Sequence, residues 1–334
     1  MNFNQFNHAP CVIYDFGNNS FLLFSNLRCS ITRELDTCTG NRSLKIVKLN
    51  NVNSFENCVS LKYADLRRWN TENITDLSSC FSFCQSLKKL RIENWNTSNV
   101  EDLSHLFSTC SSLRSLNLSR WNVSKVQTMD YCFSGCTELR RLNISNWNPC
   151  SLISMRQCFS KCKSLRELTI DWTTSHLRNM SNCFAYSNFE TLNLQNWRMN
   201  NAIDFSYCFF ECKNLQTLFA PDSHVRKLES CFNGCESLMA LNLSNWNVDH
   251  VHKFNNCFKG CKSLAILDIR SWNINSRAHT NGMFNGCDKL DIVFCTEDTF
   301  YKIVEQFPNS DEWVWKNNEA RKSGEEFGEE YGDN

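Results

Sequence analysis

Neither sign of charge prevails in this chain: 35 acidic residues balance 35 basic ones over 334 positions. That balance excludes the global field by which nucleic-acid and membrane-surface proteins commonly gather their partners, so no nucleic-acid partner is expected and any electrostatic recognition is local. Long apolar runs are also missing. The longest near the start is Phe21-Leu22-Leu23-Phe24, with no Lys or Arg before Arg28, which is not the plan of a signal peptide. Nothing approaches the roughly 18 apolar residues of a membrane span. A soluble intracellular protein is the expectation. No phosphate-cradling glycine loop and no nucleophile motif occurs, and the seven His are scattered, His250-Val-His252 reading as an exposed alternation. No catalytic residue, cofactor or metal ligand is therefore expected, and the chain reads as a non-enzyme.

What the sequence does hold is a repeat. Trp69, Trp95, Trp121 and Trp147 are 26 apart, Trp172 and Trp197 follow at 25, and Trp246 and Trp272 are again 26 apart. The 49 residues between Trp197 and Trp246 make two units, with a Trp lost near Ser223. Phe55, Phe81, Phe107, Phe133, Phe159, Phe184, Phe209, Phe232, Phe258 and Phe284 keep the same register. The unit is C-F-x-x-C-x-x-L-x-x-L-x-L-x-x-W-N-x-x-x-V-x-x-M/L. Leu116-x-Leu118 alternates as a short strand does, whereas Val126, Met129, Cys132, Phe133 and Cys136 recur at three and four, the spacing of one helical face. The expected fold is an α/β solenoid of about 10–11 stacked strand/short-helix units sharing one core. Strand registers begin at Leu44, Leu61, Leu87, Leu113, Leu139, Leu165, Phe189, Leu215, Leu238, Leu264 and Leu290. Residues 1–42 read as an N-terminal cap, 43–295 as the solenoid, 296–316 as a C-terminal cap and 317–334 as a disordered acidic tail.

The pattern L-x-x-L-x-L-x-x-W-N with M/C-F-x-G-C-x-x-L, seen in Leu139 to Asn148 and in Cys231-Phe-Asn-Gly-Cys235-Glu-Ser-Leu238, resembles the BspA-like leucine-rich-repeat surface proteins. It covers roughly residues 43 to 295 in nine or more copies, in a variant where Trp-Asn follows the strand. The resemblance implies a leucine-rich-repeat-like right-handed superhelix and a binding role without catalysis. Such proteins occur in bacteria, parasitic protists and some large DNA viruses, and several resemble adhesins. Two departures, the lack of an export signal and Cys where Met usually precedes Phe, turn the expectation toward a cytoplasmic or virion-associated protein.

Sixteen of the 21 Cys occupy two repeat positions, before Phe (Cys80, Cys132, Cys158) and three after it (Cys84, Cys110, Cys136) among others. Leu106, Met283 and Ser187 replace them elsewhere, so the expected role is packing rather than zinc or lateral disulfides. The Trp series reads as a buried spine rather than a row of stacking platforms. The Asn residues after it read as an amide ladder satisfying backbone groups at the bend. A sharper feature is the residue after the first strand Leu. It is Lys45, Lys62, Lys88, Arg114, Arg140 and Arg166 in the first units, then Glu190, Gln216, Met239, Ala265 and Asp291. Arg67, Arg91 and Arg141 accompany the basic half. In the separate row between the last two strand apolars, Asp65, Arg91, Asn117, Asn143, Thr169, Asn193, Phe219, Asn242 and Asp268, Phe219 is the clearest break, beside Pro221 where the Trp is missing. The expected function is a scaffold binding protein partners, acidic ones on the charge argument, through the concave strand face and the basic half. Two other readings stay open: a surface adhesin exported without a classical signal, and a thiol-rich metal-binding protein. Oligomeric state is open.

Overall fold

The computed structural model describes residues 55–306, together with the backbone of strands Val12–Asp15, Ser20–Leu23, Lys45–Lys48 and Val314–Lys316. The chain is a parallel β-solenoid of about nine turns. All but one of the described turns place a three-residue strand on a common face. Tyr63–Asp65, Lys89–Arg91, Ser115–Asn117, Arg141–Asn143, Thr191–Asn193, Thr217–Phe219, Ala240–Asn242, Ile266–Asp268 and Ile292–Phe294 are the strands, and every pairing among them is parallel and in register. The alternation read from the sequence is realised directly. In Ser115–Asn117 the central Leu116 is buried and its neighbours are exposed.

The rest of each turn differs from expectation. No helical arm forms: the helix among the described residues, Glu297–Ile303, lies beyond the last repeat. The spacing of three and four instead marks consecutive tight turns whose amides alternate in direction. The N–H groups of Leu77, Ser79, Phe81 and Phe83 donate to Asp102, Ser104, Leu106 and Ser108 of the next turn. Those of Cys80, Ser82 and Cys84 donate three residues back, to Leu77, Ser79 and Phe81. A helix would direct every amide along its own axis, but here half of them stitch one coil to the next. Cross-coil bonding needs a left-handed residue on either side of each Cys-Phe pair. Ser79 and Phe83, His105 and Thr109, Gln157 and Lys161, and Asn182 and Tyr186 all have φ between 53° and 61°.

Left-handed φ is costly for a side chain branched at Cβ, and Thr109 stands at φ 60° where the next turn has Gly135 at 76°. Thr109→Gly should therefore stabilise the fold by about 0.5–1 kcal/mol, after the entropy glycine adds to the unfolded chain. A urea midpoint at or below that of the parent contradicts this account.

Two aromatic columns run the length of the core. Phe55, Phe81, Phe107, Phe133, Phe159, Phe184, Phe209, Phe232, Phe258 and Phe284 stack with centroids 5.2–5.8 Å apart. The repeat Trp residues from Trp69 to Trp272 form the second column, all buried. Where the repeat loses its Trp, strand Asp222–Lys227 pairs with Arg198–Asp204 and with Trp246–Asn247, and the Phe205 ring stacks on Trp246 at 4.6 Å. The register beginning at Leu165 forms no strand. There Trp172 follows Ile170 one residue sooner than Trp121 follows Leu118, and its indole N–H is left without a partner.

At the first turn, Val12–Asp15 pairs in parallel with Tyr63–Asp65 and antiparallel with Ser20–Leu23, which pairs antiparallel with Lys45–Lys48. At the other end, helix Glu297–Ile303 starts at Thr296, whose side chain accepts the Thr299 N–H, and buries Thr299 and Ile303. Val314–Lys316 then extends the sheet in parallel beside Ile292–Phe294. Apart from these strands, the expected cap at 1–42, residues 307–316 of the expected cap at 296–316 and the expected tail at 317–334 lie outside the described residues.

Candidate functional site

Because each strand is three residues long with its middle side chain inward, the sheet offers a face made of equivalent residues about 4.8 Å apart. Lys62, Lys88, Arg114, Arg140 and Arg166 stand on it one per turn, all exposed. The basic ladder read from the sequence is thus a continuous column, but its members are not equally available. Arg114 donates to Glu138 (2.9 Å) and Arg166 to Glu190 (2.8 Å), each on the following turn. Arg67 and Arg91 both reach Asp65, at 2.7 and 3.4 Å. The Arg67 hydrogen bonds outweigh the cost of partial burial and hold the Asp65 carboxyl down at about 2, so this trio is largely self-neutralised. Lys62, Lys88, Arg140 and Arg141 make no ion pair among the described residues. Between Arg140 and Arg166, at the register lacking its strand, the face opens into a notch of about 510 Å³ lined by Arg140, Lys163, Ser164, Arg166 and Glu167.

Phe219 lies at the other half of the same face, 47 % exposed. It is not alone: Met239 is 56 % exposed, and Ile266, Ile292 and Phe294 are half-buried on the neighbouring strands. Sequence reasoning singled out Phe219 and missed this apolar half. Its signal was present in the same column that revealed the basic one, where Met239 and Ala265 succeed Arg and Lys, and in the next column, where Ala240, Ile266 and Ile292 follow Lys89 and Arg141. The face is therefore divided, cationic over its first turns and mainly apolar over its last, where Asn242 and Asp291 are exposed polar members.

The cysteines have a defined role inside. The thiols of Cys84, Cys110, Cys136, Cys162, Cys212, Cys235, Cys261 and Cys287 donate to the carbonyl of the core Phe one turn earlier, at 3.0–3.2 Å. Ser187, which replaces Cys in one turn, donates to the Phe159 carbonyl at 2.6 Å. The position therefore asks for a small buried donor, which refines the packing reading. All 18 cysteines of the described residues are free, and Cys150 is the one exposed. Burial drives the thiols toward the protonated form, to about 12 at Cys136 and Cys212. Among the described residues, no group of three or more His, Cys, Asp or Glu is placed to hold a metal.

Nor is the Trp column open to ligands. The indole N–H groups of Trp95, Trp121, Trp147, Trp197, Trp246 and Trp272 donate 2.8–3.3 Å to backbone carbonyls of the preceding turn. The following asparagines differ from expectation: they are exposed, and Asn70, Asn96, Asn122 and Asn247 each accept the N–H two residues on. These are local Asx turns rather than a buried amide ladder, because the bend is at the surface.

A family model described as "Mycoplasma protein of unknown function, DUF285" matches this chain at residues 49–149, 131–220 and 218–300. No curated protein sequence matches it. Among solved structures, it is similar to a leucine rich cell surface protein from Faecalibacterium prausnitzii A2-165, at 16% identity over 75% of this chain and 77% of that one, with a TM-score of 0.34. It is also similar to a leucine-rich repeat protein from Bacteroides ovatus ATCC 8483, at 13% identity over 92% and 98% of the two chains, TM-score 0.27. A third similarity is to TLR13 in a complex with ssRNA13, at 21% identity over 73% of this chain and 32% of that one, TM-score 0.36. No described helix is long and apolar enough to cross a membrane.

Proposed function

We propose, from the premise that this chain belongs to the DUF285 family, that it is a non-enzymatic leucine-rich-repeat scaffold, intracellular or virion-associated, that binds an acidic protein partner through its strand face. The observation that carries this reading is the column of exposed cations on the first turns, in which Lys62, Lys88 and Arg140, with Arg141 beside them in the next column, have no internal ion pair among the described residues. Like charges held a turn apart repel; Glu138 and Glu190 offset this at Arg114 and Arg166, while the unpaired members gain most when neutralised from outside. Glu138 and Glu190 are engaged by Arg114 and Arg166, and in the notch Arg140, Lys163 and Arg166 face the one lining carboxylate, Glu167, which leaves cationic charge for a further acid. A flat row of regularly spaced side chains on a rigid stack is the usual means by which repeat solenoids present a large binding surface.

Lys88, Arg140 and Arg141 can be reversed without breaking an internal pair, so Lys88→Glu/Arg140→Glu/Arg141→Glu should leave the urea midpoint nearly unchanged. Quantitative capture from the native source then reads function. Partners that bind the parent chain should be retained at least tenfold more weakly, about 1.4 kcal/mol. The control Lys125→Glu/Lys259→Glu, whose cations lie off the strand face, should capture them as the parent does. Equal capture by both variants rejects the face.

A further inference from the structure

We propose that the strand face is occupied, in the free protein, by the chain's own C-terminal segment 317–334, which would regulate access to the face. This rests on the reading above in that the two share one surface. Three observations converge on it. The first is composition: residues 317–334 carry six acidic and two basic residues and place Phe327 and Tyr331 among the acids, in Gly-Glu-Glu-Phe327-Gly-Glu-Glu-Tyr331-Gly. Acid interleaved with aromatics is the complement of a face that is cationic over one half and mainly apolar over the other. Neither half alone accounts for both features of the segment.

The second observation is position. Val314–Lys316 is the outermost strand of the sheet, paired in parallel with Ile292–Phe294, so the segment departs from the apolar end of the face in question. The third is reach. Successive strands lie about 4.8 Å apart, which puts Phe219 about 19 Å and Arg166 about 29 Å from the last strand. Eleven extended residues from Lys316 to Phe327 span up to about 36 Å, more than the approach to Phe219 requires. The three residues from Phe327 to Glu330 span about 10 Å, the two strand spacings that separate Phe219 from Arg166. With Phe327 over Phe219 and Met239, Glu330 comes to Arg166, which it shares with Glu190, and the remaining carboxylates reach Arg140 and Lys163 in the notch that Glu167 also lines. An exposed Met and Phe gain burial, and the cation column gains its counter-charge, in one contact. An acidic partner then has to displace the segment, which lowers its apparent affinity by the fraction of chains left uncovered.

Photo-crosslinking in the full chain tests this. Phe327→p-benzoylphenylalanine is irradiated at low protein concentration without any partner, and the adducts are mapped by mass spectrometry. Adducts within one chain, at Met239, Phe219 or Ile266, are expected. Their yield should fall at least fivefold when Glu329→Lys/Glu330→Lys is added, and should fall likewise in strong salt. Adducts between chains, adducts spread over other faces, or a yield indifferent to the charge reversal overturns the assignment. The readout needs no partner, so it separates the two ideas. A chain that captures nothing can still crosslink to itself, and one that captures partners without self-adducts loses only the segment's role.

Discussion

Raising the pH from 8 to 10.5 should unfold the solenoid cooperatively, at an alkalinity that ordinary globular domains tolerate. Fourteen thiols of the described residues are pushed up by burial, Cys80, Cys110, Cys132, Cys136, Cys158, Cys162, Cys183, Cys208, Cys212, Cys231, Cys235, Cys257, Cys261 and Cys295. In the unfolded chain a thiol ionises near pH 8.5. A folded-state value above the unfolded one means the native chain holds its protons while the unfolded chain releases them, so stability falls as pH rises. The contribution is complete below about pH 8.5 and is lost progressively up to the folded value, about 12 at Cys136 and Cys212. Each group costs about 1.4 kcal/mol per pH unit within that window, so fourteen uncovered together cost about 19 kcal/mol per unit, more than a typical domain's whole stability. Circular dichroism under reductant should show a transition between about pH 9 and 10.5, reversible on return to neutrality. Thiol labelling should follow it, with Cys150 the fast-reacting cysteine among the described residues beforehand. Cys162→Ser, which keeps the donor as Ser187 does and does not titrate, should move the midpoint upward. A folded chain at pH 10.5 contradicts the account.

The same thiols show what could and could not be read in advance. Sequence spacing placed them in the core because sixteen fall on two repeat positions, and it located the Trp and Phe columns for the same reason. It did not reveal that the second Cys is a donor; the substitution at Ser187 was the available sign, since a purely apolar site would not accept a hydroxyl at Phe159. The helical arm was misread because i, i+3 recurrence is common to a helix and to a chain of tight turns. What separates them is the sign of φ at Ser79, His105, Gln157 and Asn182; Asn182 and His105 belong to types enriched at left-handed φ, but Ser79 and Gln157 carry no such signature, so the signal does not recur from turn to turn. Glycine at 135, 234, 260 and 286 hints at it in the later turns. The basic half of the face was legible as a column of like residues. Its partial quenching was not, because Asp65 meets Arg67 within one turn and Arg91 from the next, a contact set by stacking geometry.

Trp147→Ala should lower stability by about 3–5 kcal/mol and split unfolding into two transitions. Trp147 is 2% exposed, with its ring between Trp121 at 6.4 Å and Trp172 at 6.2 Å, and its N–H donates to the Leu118 carbonyl at 2.9 Å. Truncation leaves a cavity against both neighbours and removes a donor from a buried carbonyl. The division into two steps follows from the architecture. In a solenoid each turn touches only the next, so coupling between the ends passes through every intervening turn. The next turn is already the weak one, without a strand at the Leu165 register and with the Trp172 indole unpartnered. Weakening its neighbour uncouples the turns before it from those after it. Trp147→Phe, which keeps an aromatic ring but no donor, should cost less and retain a single transition. In urea followed by tryptophan fluorescence and circular dichroism, the two probes should coincide for the parent and diverge for Trp147→Ala. A loss below about 1 kcal/mol would mean that the Phe column alone holds the stack together, with the Trp column filling space beside it.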